Sequence, residues 1–255
     1  MGLGVTFTPW GIDRSYRPRF HGPQSGPRTQ KGVVLPHTAT WAKSETLDSH
    51  GLHWRPDWIG DRQCLYWYLT FDDEQLADAL GERFLTQVHS LEWLDAVPPR
   101  WMHLTLCEVG YVDQVDAAAV ESMVRKATEV FREHRTLRIT LGPARPLWTA
   151  VALAAEPQQQ LRGLGMKIAE VTSRAMPHTF WPHVSVGYVN RHVGRHTVRD
   201  TLTMLPQTQV DVEVDRLTLA RVSRRDRHYQ WTVDSEVNLL TEASAAPDRK
   251  RWRAP

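Results

Sequence analysis

Two stretches of this chain repeat one chemical pattern. The first reads Trp101-Met102-His103-Leu104-Thr105-Leu106 and the second Trp181-Pro182-His183-Val184-Ser185-Val186. Each runs on to a Gly-Tyr-Val, at residues 110–112 and 187–189. Both read as strands. Side chains alternate along a strand, so tryptophan, histidine and hydroxyl are expected on one face, with Met102, Leu104, Leu106, Val184 and Val186 on the other. Histidine titrates near neutrality, so one imidazole can take a proton while a second gives one. Such a pair suits in-line displacement at phosphorus. Thr105 and Ser185 can donate hydrogen bonds to the non-bridging oxygens, where charge concentrates. Trp101, Trp181 and, on the preceding aromatic strand, Tyr68 are candidate substrate contacts, since aromatic rings stack on bases.

A single strand of this kind is weak evidence in a chain with twelve histidines. Repetition carries the reading: four positions match between the copies, and each copy lies in a strand preceded by a helical pattern.

The motifs resemble those of the two-histidine phosphoesterases, which include bacterial 2′-5′ RNA ligase-like proteins and cyclic phosphodiesterases. The histidines are 80 residues apart, as in that family. The resemblance extends over about residues 63–238 and takes in the Val97-Pro98-Pro99 and Phe180-Trp181-Pro182 leads into the motifs. It implies an α+β fold of two pseudo-symmetric lobes, with antiparallel sheets lining a central cleft and helices outside. It also implies that His103, Thr105, His183 and Ser185 carry the chemistry. Ser185 stands where threonine is commoner, which keeps the hydroxyl.

The elements that must position these groups follow from periodicity. Leu65–Phe71 reads as a strand dense in aromatics. Asp72-Asp73-Glu74 opens a helix to about His89, acidic where the helix dipole favours it, with Leu76, Leu80, Phe84 and Val88 four apart. Pro98-Pro99 precedes the first motif strand, Trp101–Val109. A helix over about Val115–Glu133, strands Leu137–Leu141 and Trp148–Ala154, and a helix over about Pro157–Arg174 lead to the second, Trp181–Val189. A short helix near Thr197–Leu205 and strands Val210–Val222 and Tyr229–Val233 complete the pattern.

The chain of 255 residues suits one large domain or two lobes. Residues 1–60 read as a poorly ordered Trp/Pro/Gly-rich extension, although the part near Trp54 and Trp58 is expected to pack onto the domain. Residues 61–240 read as the bilobal domain and 241–255 as a disordered basic tail. The net charge of +2 is uneven: residues 61–240 hold 20 Lys/Arg against 23 Asp/Glu. That balance disfavours a platform for a long nucleic-acid backbone. It points to a nucleotide or an RNA end as the partner. No apolar run approaches the ~20 residues of a membrane span, and no signal peptide is read at the start. Cys64 and Cys107 read as buried free thiols, and the cytoplasm follows by default; a monomer is expected.

Other patterns carry less. His192-Val193-Gly194-Arg195-His196 has a metal-pair spacing but sits in a glycine-bearing loop. Gly163-Leu164-Gly165 lacks phosphate-loop spacing and lies in a helical run. No metal and no cofactor are expected. The arginines at 191, 195, 199, 221, 224, 225 and 227 read as loop charge, one or two of which could steer a phosphate. The expected function is metal-independent hydrolysis of a 2′,3′-cyclic or 2′-5′-linked phosphate. The alternatives are 2′-5′ RNA ligation by the reverse reaction and nucleotide or RNA binding without turnover.

Overall fold

The computed structural model describes residues 46–47, 58–147, 149–174 and 180–240. Most of the 1–60 extension, Trp148 and the 241–255 tail lie outside the described residues. Eleven strands are described: β1 (Thr46–Leu47), β2 (Cys64–Thr70), β3 (Leu94–Ala96), β4 (His103–Tyr111), β5 (Leu137–Leu147), β6 (Ala150–Glu156), β7 (His183–Val189), β8 (Val193–Gly194), β9 (Val210–Val214), β10 (Arg216–Arg225) and β11 (His228–Asn238). The α-helices are α1 (Asp73–Leu80), α2 (Glu82–His89), α3 (Ala117–Phe131), α4 (Gln158–Val171) and α5 (Arg195–Met204).

Nine strands form one curled antiparallel sheet in the order β11-β10-β2-β4-β7-β6-β5-β9, with β3 added beside β7. The sheet has two halves. β4 meets β7 at a single register pair, Leu104↔Val184, so the four strands on either side form pseudo-symmetric lobes that diverge from that bridge. β1 and β8 make a separate two-stranded pair, which ties Thr46 and Leu47, inside the expected extension, to Gly194 and Val193.

Alternation decides which face is dry. Leu65, Trp67 and Leu69 on β2, Leu104 and Leu106 on β4 and Val184 and Val186 on β7 are buried with Leu76, Leu80, Phe84, Val88, Met123 and Ile168 from the helices. The Trp67 indole N–H reaches the Met123 sulfur on α3 at 3.2 Å. Each fully buried large apolar side chain contributes ~1.5–3 kcal/mol, so this layer holds the lobes together. The other face carries the cleft and, in the lobe of β2, β4 and β10, a second buried cluster of Trp58, Cys64, Tyr68, Tyr111, Ala220 and Val222. Among the described residues no helix is long and apolar enough to cross a membrane.

Three of the differences from the sequence reading bear on how the site is built. The single helix expected to His89 is two, because Gly81 adopts φ +79° and donates its N–H to Ala77 O as a helix stop. Asp72 caps α1 through a bond from Gln75 N at 2.9 Å. The strand expected over Val210–Val222 is β9 and β10, which break at Asp215 and lie in opposite lobes: β9 pairs β5 and β10 pairs β2. Continuous β-propensity does not report a change of partner. Finally, the motif strands begin at the histidines. Trp101 belongs to a short 3₁₀ turn, Pro99–Trp101, and Trp181 precedes β7, so strand alternation does not place either tryptophan.

The β10–β11 hairpin reaches across to the other lobe. Its turn places Asp226 and Arg227 at positive φ. There the His228 ring nitrogen Nε2 meets Ala96 O on β3 at 2.8 Å, and Arg227 pairs Asp95 at 3.4 Å.

Candidate active site

The Leu104↔Val184 bridge brings the two motifs together. Leu104 and Val184 are completely buried on the helix side. The residues one step either side of them, His103 and Thr105 on β4 and His183 and Ser185 on β7, therefore point into the cleft and are partly buried. In an antiparallel pair this register sets each histidine beside the other strand's hydroxyl residue.

Both imidazoles are anchored in the same way. His103 Nδ1 lies 2.7 Å from Trp101 O and His183 Nδ1 lies 2.7 Å from Trp181 O. A carbonyl only accepts, so Nδ1 carries the proton in each neutral ring. Each Nε2 then holds the lone pair and can take a proton or, once charged, give one.

Their surroundings differ. The His103 ring stacks on Tyr68 from β2, centroids 3.9 Å apart and planes 16° apart. Tyr68, expected as a substrate contact, is 2% exposed and lies against His103. The His183 ring stacks on Trp181, 5.1 Å and 12°. Trp101 does not repeat this: it meets Trp231 edge-to-face at 6.1 Å and 75°. Burial lowers the pKa of both histidines, that of His103 to about 4, with His183 across the cleft adding to the penalty on a charged His103. Burial also pushes the Tyr68 and Tyr188 phenols up, and the Ser185 hydroxyl bonds to Tyr188. These phenols stay protonated.

Several cleft residues escaped the motif search. Tyr66 stacks on Tyr68 at 5.6 Å, and its hydroxyl donates to Glu108 Oε2 at 3.0 Å. Tyr229 packs edge-on against Tyr188 at 5.4 Å. Trp231 donates its indole N–H to Trp101 O at 3.3 Å. The alternations Tyr66-x-Tyr68 and Tyr229-x-Trp231 were the available signals.

Of the arginines expected as loop charge, Arg199 lies on α5 and Arg221, Arg224 and Arg225 on β10, and five are engaged with acids: Arg191 with Glu92, Arg199 with Asp200, Arg221 with Asp234, Arg225 with Asp61 and Arg227 with Asp95. Arg224 lies over the Trp58 ring at 5.5 Å. Gly163 and Gly165 lie within α4, and the cysteines are thiols outside any disulfide, Cys64 buried and Cys107 half-buried. Among the described residues no group of His, Cys, Asp or Glu is arranged to hold a metal ion.

A family model described as the 2′-5′ RNA ligase superfamily matches residues 77–226. No curated protein matches the chain. Three solved structures are similar in fold. Escherichia coli LigT complexed with 3′-AMP shares 17% identity over 71% of this chain and 99% of its own, with TM-score 0.51. LigT complexed with NADP+ shares 18% over 70% and 99%, TM-score 0.50. A protein of Thermus thermophilus shares 17% over 70% and 99%, TM-score 0.52.

Proposed function

Because the chain belongs to the 2′-5′ RNA ligase superfamily, we propose that it is a phosphodiesterase acting on 2′,3′-cyclic or 2′-5′-linked nucleotide or RNA phosphates, with His103 and His183 as its acid-base pair. The carrying observation is that two imidazoles, each with Nδ1 tied to the carbonyl two residues before it, flank one strand bridge with a hydroxyl beside each.

For a 2′,3′-cyclic phosphate, His103 Nε2 takes a proton from water as the water oxygen attacks phosphorus. The bond from phosphorus to one ribose oxygen breaks. His183, charged, gives its Nε2 proton to that oxygen, and the product is a phosphomonoester. His103 is assigned the base because burial and the neighbouring His183 hold it unprotonated. An anionic phosphate in the cleft favours the charged form of His183. Thr105 and Ser185 donate to the non-bridging oxygens, and Trp101 and Trp181, both half-buried, are assigned to stack on a base. Tyr68 acts from beneath His103. The reverse direction, joining a cyclic end to a 5′-hydroxyl, uses the same groups.

A nucleotide as ligand accords with the 3′-AMP and NADP+ bound by the similarly folded LigT. We assign the activity to residues 61–240 acting as a monomer, since both histidines come from one chain, with 1–60 and 241–255 as extensions. The test is a screen of 2′,3′-cyclic mononucleotides and 2′-5′-linked dinucleotides, with the position of the product phosphate identified. Proton transfer by two imidazoles needs no metal, so turnover is expected to survive EDTA. Activity lost in chelator and restored by one divalent ion overturns the mechanism; binding without turnover of any substrate supports a non-catalytic binder.

A further inference from the structure

His103 is held by two groups, and one side chain touches both. Its Nδ1 is bonded to Trp101 O, and its ring face lies on Tyr68. Strand pairing holds Tyr68, on β2 between β4 and β10, but not the Trp101 carbonyl. The Trp101 carbonyl belongs to a 3₁₀ turn outside the ladder. Trp231, on β11, donates its indole N–H to that same carbonyl at 3.3 Å and sets its ring edge-on to Trp101 at 6.1 Å and to Tyr68 at 6.4 Å and 80°.

An indole nitrogen only donates, and a carbonyl oxygen has two lone pairs. Trp101 O therefore receives two N–H groups, one from Trp231 and one from His103. The indole thus contacts both the carbonyl that holds Nδ1 and the ring that underlies the imidazole. A second donor also draws on the oxygen's electron density, so the carbonyl stabilises an imidazolium less than it would alone.

We propose that Trp231 is a positioning residue for His103, holding the Trp101 carbonyl and the Tyr68 ring so that Nε2 faces the cleft in one tautomer and one orientation. The inference deepens the acid-base reading above and rests on it for its effect on turnover. The imidazole faces Tyr68 from β2 and His183 from β7, and the indole N–H goes to Trp101 O rather than to either.

The test is Trp231→Phe, which keeps a ring and removes the N–H. We expect kcat to fall about tenfold with KM little changed, the scale of one lost hydrogen bond. The His103 titration, followed by imidazole NMR without substrate, should move to higher pH by about 0.5 because the carbonyl then serves the imidazolium alone. Trp181→Phe should leave that titration in place. The wild-type protein supplies a second reading that needs no variant: the assigned Trp231 indole N–H resonance should shift with pH at the His103 midpoint. A Trp231→Phe protein with unchanged His103 titration, or an indole resonance blind to that titration, overturns the proposal. Both NMR readings are made without turnover, so they stand or fall separately from the question of whether His103 transfers a proton in catalysis.

Discussion

His103 lies on Tyr68, a buried ring supplied by a neighbouring strand, whereas His183 lies on Trp181, a half-buried ring two residues away in its own segment. The polar groups around each are otherwise alike: an Nδ1 contact to the carbonyl two residues earlier and a hydroxyl residue two later. A repeat in sequence thus delivers the same functional groups twice but not the same environment. What packs on each ring depends on the neighbouring strand. β4 is flanked by the aromatic strand β2, and β7 by β6, whose Ala152 and Ala154 offer no ring. The first histidine is the one driven furthest from its charged form.

The largest effects should come from removing the pair. His103→Ala and His183→Ala should each slow turnover by ~10²–10⁴, with both proteins folded by circular dichroism. The double variant should lose less than the product of the single losses, because the two act as a unit. Near wild-type turnover in either single variant breaks the assignment.

Replacing the two supporting rings sharpens the contrast. Tyr68→Ala opens a buried site and should cost ~3–5 kcal/mol of stability in denaturant titration, with loss of turnover following. Trp181→Ala should cost much less stability and act mainly on KM, its ring being only half-buried and the proposed base contact. Equal stability losses would show that the two stacks are equivalent after all.

The hydroxyls come next. Thr105→Ala and Ser185→Ala should each cost ~10–100-fold in kcat/KM, the worth of one hydrogen bond to a charged group. Ser185→Ala should also disturb the Tyr188 phenol to which the serine is bonded.

The pH dependence should be smallest in magnitude and most specific. The kcat/KM profile should be bell-shaped, its limbs belonging to the coupled pair and its optimum on the acid side of neutrality, because both histidines titrate below 6.5 before substrate binds. Stability follows with a definite sign. Between 6.5 and about 4 the unfolded chain binds protons that the folded His103 refuses. The contribution is therefore fully present above 6.5 and is lost as pH falls toward 4. Melting temperature against pH should fall less steeply through that window in His103→Ala than in wild type. Parallel curves would show that His103 is not the buried neutral group.

Much of this was legible from local pattern. The two His-x-hydroxyl motifs, the alternation that buries Leu104 and Val184 and turns the histidines outward, and the amphipathic helices all follow from chemistry repeated at a period of two or about 3.6, which a sequence displays directly. The family was legible too, through the two motifs and the 80 residues between their histidines. Pairing and register belong to the tertiary structure alone. It joined motifs 80 residues apart at one bridge, split a continuous β-prone run between opposite lobes at Asp215, and withdrew Trp101 into a turn while leaving Trp181 on its histidine. It also set Tyr68 beneath His103 and brought Trp231 from the last strand to the Trp101 carbonyl. Periodicity states which side of a strand a residue occupies; only the order of strands across the sheet states which side chain it meets there.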